Sequence, residues 1–252
     1  MRIIKLFVVA CAAIMPCLPI LAEGEAGMIM QAGVLKRFTK RFSATLNAEL
    51  RLRNNFKSIE RWSLSPMADY KLTEWLKADA GYMLLRTQFP QALSTTTTGK
   101  YLQRSAYWDV KHRFYASLSG TYKPSRYIAL SLRERWQYTY RQVISVSQWE
   151  TGSQSVEEIT MPSSHHHQLR SLLQLQYLPP KSPLTPYANV ELFNAMDLEK
   201  ILLSIGTNIK MSDRHTLRVY YHYKHLYLSG GKPTVTPSLH YLSIAYKYII
   251  PE

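Results

Sequence analysis

From position 42 to position 53 apolar and polar residues alternate one by one. Phe42, Ala44, Leu46, Ala48, Leu50 and Leu52 share one parity, and Ser43, Thr45, Asn47, Glu49, Arg51 and Arg53 take the other. A strand turns successive side chains to opposite faces, so this segment predicts a strand with one greasy and one polar face. The same pattern recurs to the end of the chain and predicts strands at 28–38, 42–53, 62–72, 76–84, 113–122, 128–140, 168–177, 187–192, 201–210, 217–227 and 239–250. Tight turns are expected at 73–75, 124–126 and 212–215, a proline turn at 179–183, and long loops at 87–105 and 142–164.

Short and long connections alternate from the second strand on, and strands of this length cross a bilayer when tilted. Aromatic residues gather at the strand ends: Tyr70, Trp75, Tyr122, Tyr177 and Tyr246 on one side, Trp62, Trp136, Tyr138, Tyr140 and Tyr227 on the other. Two such girdles mark the two interfaces of a membrane. The pattern predicts an all-β chain, a closed antiparallel up-and-down transmembrane β-barrel of about 10–12 strands. Eleven is an odd count where bacterial barrels are even, so either the first segment lies outside the wall or one strand is missed. Glu134 and His225 fall on the apolar parity, and a bulge is expected to re-aim them. Pro66 lacks a ladder donor and calls for a similar irregularity.

Met1–Lys5 is short and basic, 6–21 carries no charge, and Ala22 supplies a small residue before Glu23. This is the pattern of an export signal cleaved after Ala22, and it leaves residues 23–252 as a single barrel domain. Cys11 and Cys17 both lie within the signal, so the mature chain has no disulfide, thiolate nucleophile or cysteine ligand. Lys and Arg number 31 against 17 Asp and Glu; loss of Arg2 and Lys5 takes the balance from +14 to +12. An exported chain does not meet nucleic acid, so this field is matched to anionic lipid head groups or to small anionic solutes in a lumen. The partners expected are outer-membrane lipid and such solutes, with no nucleic acid. The chain is read as a monomer.

Alternation does not say which face is wet. A water-soluble sandwich or lipocalin-like barrel would be apolar inside and polar outside. Three features favour lipid. The polar parity is written in Ser, Thr, Gln, Asn, Arg and Tyr rather than in a Lys/Glu mixture, the aromatics sit at strand ends, and no disulfide reinforces the fold.

Lumen-facing charge is the strongest candidate constellation. Glu49, Arg51, Arg53, Asp69, Lys77, Asp79, Arg113, Arg133, Arg135, Arg170, Glu191, Arg218 and Lys224 all take the polar parity, cations outnumbering acids nine to four. Such charges demand partners, so arginines are expected to fork onto carboxylates across the lumen. The excess of cations predicts an anion-favouring interior. His165-His166-His167 places only His165 and His167 on one face, with no cysteine or acid beside them, and reads as polar filler rather than a metal site. No organic cofactor is implied.

A barrel-embedded lipid hydrolase or acyltransferase is the alternative, but no His-x-Ser occurs in the sequence. His240 and Ser243, and His112 and Ser117, fall on opposite faces. Asp69 and Asp79 read as salt-bridge partners rather than as paired catalytic acids.

Glu49-Leu50-Arg51, Gly81-Tyr82, Arg133-Glu134-Arg135, Pro186 followed by Glu191, and Gly206 together make the chain resemble an outer-membrane β-barrel family, that of domain of unknown function 2490. The resemblance spans nearly the whole mature chain. It implies a Gram-negative outer-membrane barrel and no particular activity.

Overall fold

The apolar and polar parities form the two faces of a closed wall. A computed structural model describes residues 25–95, 101–150, 156–226 and 239–251. The predicted export signal, Thr96–Thr98 of the first long loop, and Tyr227 lie outside the described residues. The wall consists of β1 (Glu25–Arg37), β2 (Phe42–Arg53), β3 (Ser58–Lys71), β4 (Leu76–Phe89), β7 (Tyr107–Ser125), β8 (Ile128–Arg141), β11 (Ser164–Tyr177), β12 (Leu184–Ala195), β13 (Asp197–Lys210), β14 (His215–Leu226) and β15 (Leu239–Ile250). Neighbours in this order pair antiparallel, and β1 closes the ring by pairing parallel with β15, from Glu25↔Leu239 to Lys36↔Ile250.

The odd count therefore stands. The first segment is in the wall, no strand is missing from the ring, and the parallel seam absorbs the parity. The two long loops are not structureless. They carry β5 (Ala92–Thr95), β6 (Tyr101–Arg104), β9 (Ile144–Glu150) and β10 (Val156–Met161), which form a separate sheet in the order β10-β9-β6-β5. The hairpins β4/β7 and β8/β11 thus continue past the wall and pair with each other through β6 and β9. The predicted alternation of short and long connections fails between β2 and β3, joined by residues 54–57 alone, and between β12 and β13. In the second case Met196 alone makes the turn, in the left-handed region (φ 73°).

Outward-facing side chains are apolar and exposed, among them Leu46, Leu64, Phe114, Leu118, Leu132, Leu173, Leu203 and Ile205. Inward-facing Thr45, Ser63, Ser65, Asp69, Asp79, Gln137, Gln168, Glu191 and Ser204 are buried. This is the inverse of a water-soluble barrel, and it is the arrangement that hydrocarbon outside the wall requires. Trp75, Tyr122 and Tyr177 are exposed at the short-turn rim and Trp62 and Trp136 toward the opposite rim, as the girdles predicted.

Irregularities fall where backbone or side-chain chemistry forces them. Pro66 cannot donate to β4. The hydroxyl of neighbouring Ser65 donates to the carbonyl of Tyr82 instead (2.9 Å) and also meets the Tyr115 hydroxyl (3.0 Å). A bulge between Arg51 and Leu52 lets Glu60 loop out of register, so Arg51 opposes Arg61 and Leu52 opposes Ile59. No register shift occurs at Glu134, contrary to expectation. It stays on the outer parity and accepts a hydrogen bond from Ser171 of β11 (2.7 Å). His225 is likewise not re-aimed, because β14 pairs with β13 in unbroken register through Ile201↔His225.

Three tyrosine rings lie across glycines of the adjoining strand: Tyr115 over Gly81, Tyr220 over Gly206 and Tyr241 over Gly27. A Cβ at Gly81 would stand 2.5 Å from the Tyr115 hydroxyl, and one at Gly206 would stand 2.3 Å from the Tyr220 Cβ. Gly81→Val is therefore expected to lower the unfolding free energy by about 1–3 kcal/mol in urea titrations of vesicle-folded protein. The cost should shrink when Tyr115→Ala is already present. In the same assay Leu132→Arg, on the outer face of β8, is expected to cost about 2–4 kcal/mol, because it presents a guanidinium to hydrocarbon.

Candidate functional site: the charged lumen

Polar parity carries every lumen charge inward, and cross-strand register then decides which charges meet. On one side of the lumen Glu49 of β2 is the hub. Its Oε1 accepts from Arg51 Nε (2.7 Å) and Arg61 Nη2 (2.7 Å), and its Oε2 accepts from Gln31 Nε2 (2.7 Å). Gln31 in turn accepts from the Tyr220 hydroxyl across the β1–β15 seam (3.1 Å). On the other side Glu191 of β12 is the hub. Arg170 forks onto both of its oxygens (3.1 and 2.8 Å), and Arg133 reaches Oε1 (2.7 Å).

Asp79 of β4 is the third hub. It accepts from the Ser117 hydroxyl (2.8 Å) and from Arg135 Nη2 (3.3 Å), while Arg135 Nε donates to Ser117 (2.8 Å). Asp69 pairs with Lys77, and Asp109 with Lys111 at 3.4 Å. Rings support the cations from behind. The guanidinium of Arg135 lies 4.4 Å from the Tyr115 centroid, and Arg170 and the Lys200 ammonium lie 4.3 and 4.0 Å from that of Phe193.

The pairs share one asymmetry. The Glu191 side chain is 4% exposed while Arg133 and Arg170 are 25% and 18%; Asp79 is 6% against 14% for Arg135. Lys77 and Lys111 likewise cover Asp69 and Asp109, and Arg51 and Arg61 cover Glu49. The carboxylates lie against the wall and the cations coat the accessible surface, so the lumen presents positive charge. Arg113 bonds the Thr139 hydroxyl (3.0 Å), Arg218 the Asn208 carbonyl oxygen (2.6 Å) and Arg53 the Gln88 carbonyl (3.0 Å). Among the described residues neither these three nor Lys200 or Lys224 has a carboxylate within ion-pair distance. In the short-turn half the lumen holds a cavity of about 250 Å³ whose lining includes Gln31, Asn47, Asp69, Lys77, Arg218 and Lys247.

The thirteen residues predicted from parity all lie on the wall strands, and eleven of them take part in the ion pairs and side-chain hydrogen bonds above. Arg53 reaches a backbone carbonyl at the long-hairpin rim instead. Lys224 has none of these bonds, and neither does Lys200. Asp69 and Asp79 are directly opposed across β3 and β4, but each is taken up by a cation, as expected of ion-pair partners. Sequence reasoning missed Arg61, Glu60, Asp109, Lys111 and Lys200. Arg61 shares the parity of Ser63, and Asp109 and Lys111 share that of Arg113, so strands extended by a few residues would have included them. Glu60 moves by the bulge, which left no local signal. Its carboxylate accepts from the Tyr241 hydroxyl (2.8 Å).

The histidine run divides as parity requires. His165 and His167 stand outside against Tyr138, Tyr140 and Trp136, and His166 meets Glu199 at 3.3 Å. Glu199 is an acid that the local sequence did not place there. Among the described residues no three His, Cys, Asp or Glu side chains converge as a metal site. His240 and His112 face outward onto Tyr221 and Tyr82, away from Ser243 and Ser117. One serine–histidine contact does form across strands, between Ser204 Oγ and His222 Nδ1 (2.5 Å). It lies inside the lumen, with the serine buried and no carboxylate bonded to the imidazole among the described residues.

Glu191→Ala would leave Arg133 and Arg170 partly buried without their common counter-charge. A loss of about 3–5 kcal/mol in urea unfolding is expected. Replacing Arg218, which bonds only a neutral amide, is expected to cost under about 1.5 kcal/mol in the same titration.

Among curated proteins no sequence matches the chain. Solved structures do share its fold. The translocator domain of the autotransporter NalP from Neisseria meningitidis matches with a TM-score of 0.50 over 86% of this chain and 91% of that one, at 12% identity. The likeness is one of architecture, an outer-membrane β-barrel domain. The sequence matches the family described as protein of unknown function (DUF2490) over residues 27–235, which include every motif that carried the resemblance. The inverted barrel with its arginine-coated lumen is therefore a member of the DUF2490 family.

Proposed function

We propose that this chain is a small passive pore of the Gram-negative outer membrane that favours anions. The apolar outer face and the aromatic girdles support insertion in a bilayer, and likeness to an outer-membrane translocator domain supports that membrane in particular. The export signal read from residues 1–22 supplies the route. Tight turns then face the periplasm, and the β5/β6 and β9/β10 hairpins face outward.

One observation carries the anion preference: in each lumen ion pair the cation lies over its carboxylate, so a permeating solute meets guanidinium and ammonium groups first. A ring of fixed cations lowers the energy of an anion in a narrow passage and raises that of a cation. The serine–histidine contact of Ser204 and His222 keeps a lipid-modifying enzyme as the second reading. Its seclusion from the lipid-facing surface weighs against it, because an acyl chain would have to enter the lumen to reach the hydroxyl.

Planar-bilayer recording under a potassium chloride gradient tests the proposal. Wild-type protein is expected to give small steps with a reversal potential of the anion-selective sign. Arg133→Glu should shift that potential toward cation selectivity. Cation-selective wild-type steps would overturn the anion assignment. A folded but silent barrel would overturn the pore, and release of fatty acid from labelled phospholipid, lost in Ser204→Ala, would establish the enzyme instead.

A further inference from the structure

The excess positive charge of the chain is not confined to the lumen. Each of the five connections at the short-turn rim carries exposed cations. Arg37, Lys40 and Arg41 join β1 to β2, and Lys71 ends β3. Lys123 and Arg126 flank the β7–β8 turn, Lys181 lies between β11 and β12, and Lys210 and Arg214 flank the β13–β14 turn. Against them the described residues of these connections hold two acids, Glu74 and Asp213, and Asp213 is occupied by Lys210 at 2.7 Å. Among the described residues none of the other eight cations has a carboxylate within ion-pair distance. The opposite rim is mixed in sign, with Glu25, Glu157, Glu158, Asp197 and Glu199 among its charges.

The crown sits next to exposed aromatic side chains on the outer wall: Phe42, Tyr70, Trp75, Tyr122 and Tyr177. Such residues hold the boundary between acyl chains and head groups, so cations just beyond them lie at the depth of lipid phosphates. The arrangement also selects among polyanions. A soluble acidic partner needs charge on one side of a protein, whereas here every connection around the circumference contributes. Only a leaflet meets the whole circle at once.

We propose that the short-turn rim is a docking surface for the phosphate head groups of anionic phospholipids in the leaflet that surrounds it. This rests on the reading that the barrel spans a bilayer, and it adds a lipid preference that a neutral rim would lack. The crown gathers acidic lipids around the turn end and fixes the depth and direction of insertion, since the opposite rim offers no comparable field.

Trp75, on the β3–β4 turn and 60% exposed, reports on this rim. A chain retaining it alone (Trp62→Phe, Trp108→Phe, Trp136→Phe, Trp149→Phe) would be folded into vesicles of equal phosphatidylglycerol and phosphatidylcholine, with one lipid brominated at a time. Brominated phosphatidylglycerol is expected to quench Trp75 at least about twofold more than brominated phosphatidylcholine. The preference should collapse in about 1 M salt and in a variant carrying Lys40→Gln, Arg41→Gln, Lys71→Gln, Lys123→Gln and Arg126→Gln. Equal quenching by the two lipids would overturn the proposal. No quenching by either would show that the rim does not contact a bilayer, and it would overturn the membrane reading itself. If the single-tryptophan chain does not fold, native mass spectrometry of wild-type protein from mixed micelles serves the same purpose. Retention of phosphatidylglycerol over phosphatidylcholine is expected, and equal retention would refute it.

Discussion

In hydrocarbon an unpaired peptide group has no water to fall back on, so each strand in this wall must find a hydrogen-bonded neighbour on both sides. Everything else in the barrel answers to that constraint. An up-and-down meander with an odd number of strands brings its first and last strands together pointing the same way, and β1 and β15 accept this by pairing in parallel along their lengths. The seam leaves no free edge. It also sets the two ends of the wall apart: β1 begins at the rim of the long hairpins, and β15 ends at the rim of the short turns. Where the ladder loses a donor at Pro66, a serine hydroxyl takes over the orphaned carbonyl, which is the same constraint acting on a single group.

A second consequence is that charge has only one place to go. With lipid on the outside, ionic side chains turn inward, and the lumen must satisfy them within a narrow bore. Here the acids sink toward the wall and the arginines spread over them, backed by Tyr115 and Phe193. Most of the short motifs that carried the resemblance serve this arrangement. Glu49 and Arg51 form one hub, Arg133 and Glu191 another, and Arg135 completes a third. Gly81 and Gly206 clear space for Tyr115 and Tyr220, two of the rings that line the lumen. Leu50, Tyr82, Glu134 and Pro186 take the outer parity instead, Glu134 held there by Ser171 and Tyr82 bonded to His112.

The surplus of cations is distributed as well as large. Part of it coats the lumen and part crowns the short-turn rim, while the opposite rim is mixed. The two ends of the barrel are thereby distinguished electrostatically. The hairpins beyond the wall add a second asymmetry, because β6 and β9 pair to build a sheet on the far side only.

Parity along the chain determined the fold class, the placement of eleven wall strands and the inward direction of thirteen charges, because a strand alternates faces whatever its neighbours are. Outward lipid was also legible, in the scarcity of Lys/Glu pairs on the polar parity and in aromatics at strand ends. Register, closure and distant pairing were not. The meeting of Arg170 with Glu191, the parallel seam, the looping-out of Glu60 and the joining of two long loops through β6 and β9 depend on how far one strand slides past another. That sliding is set by the summed fit of the whole ring, and no local stretch of sequence encodes it.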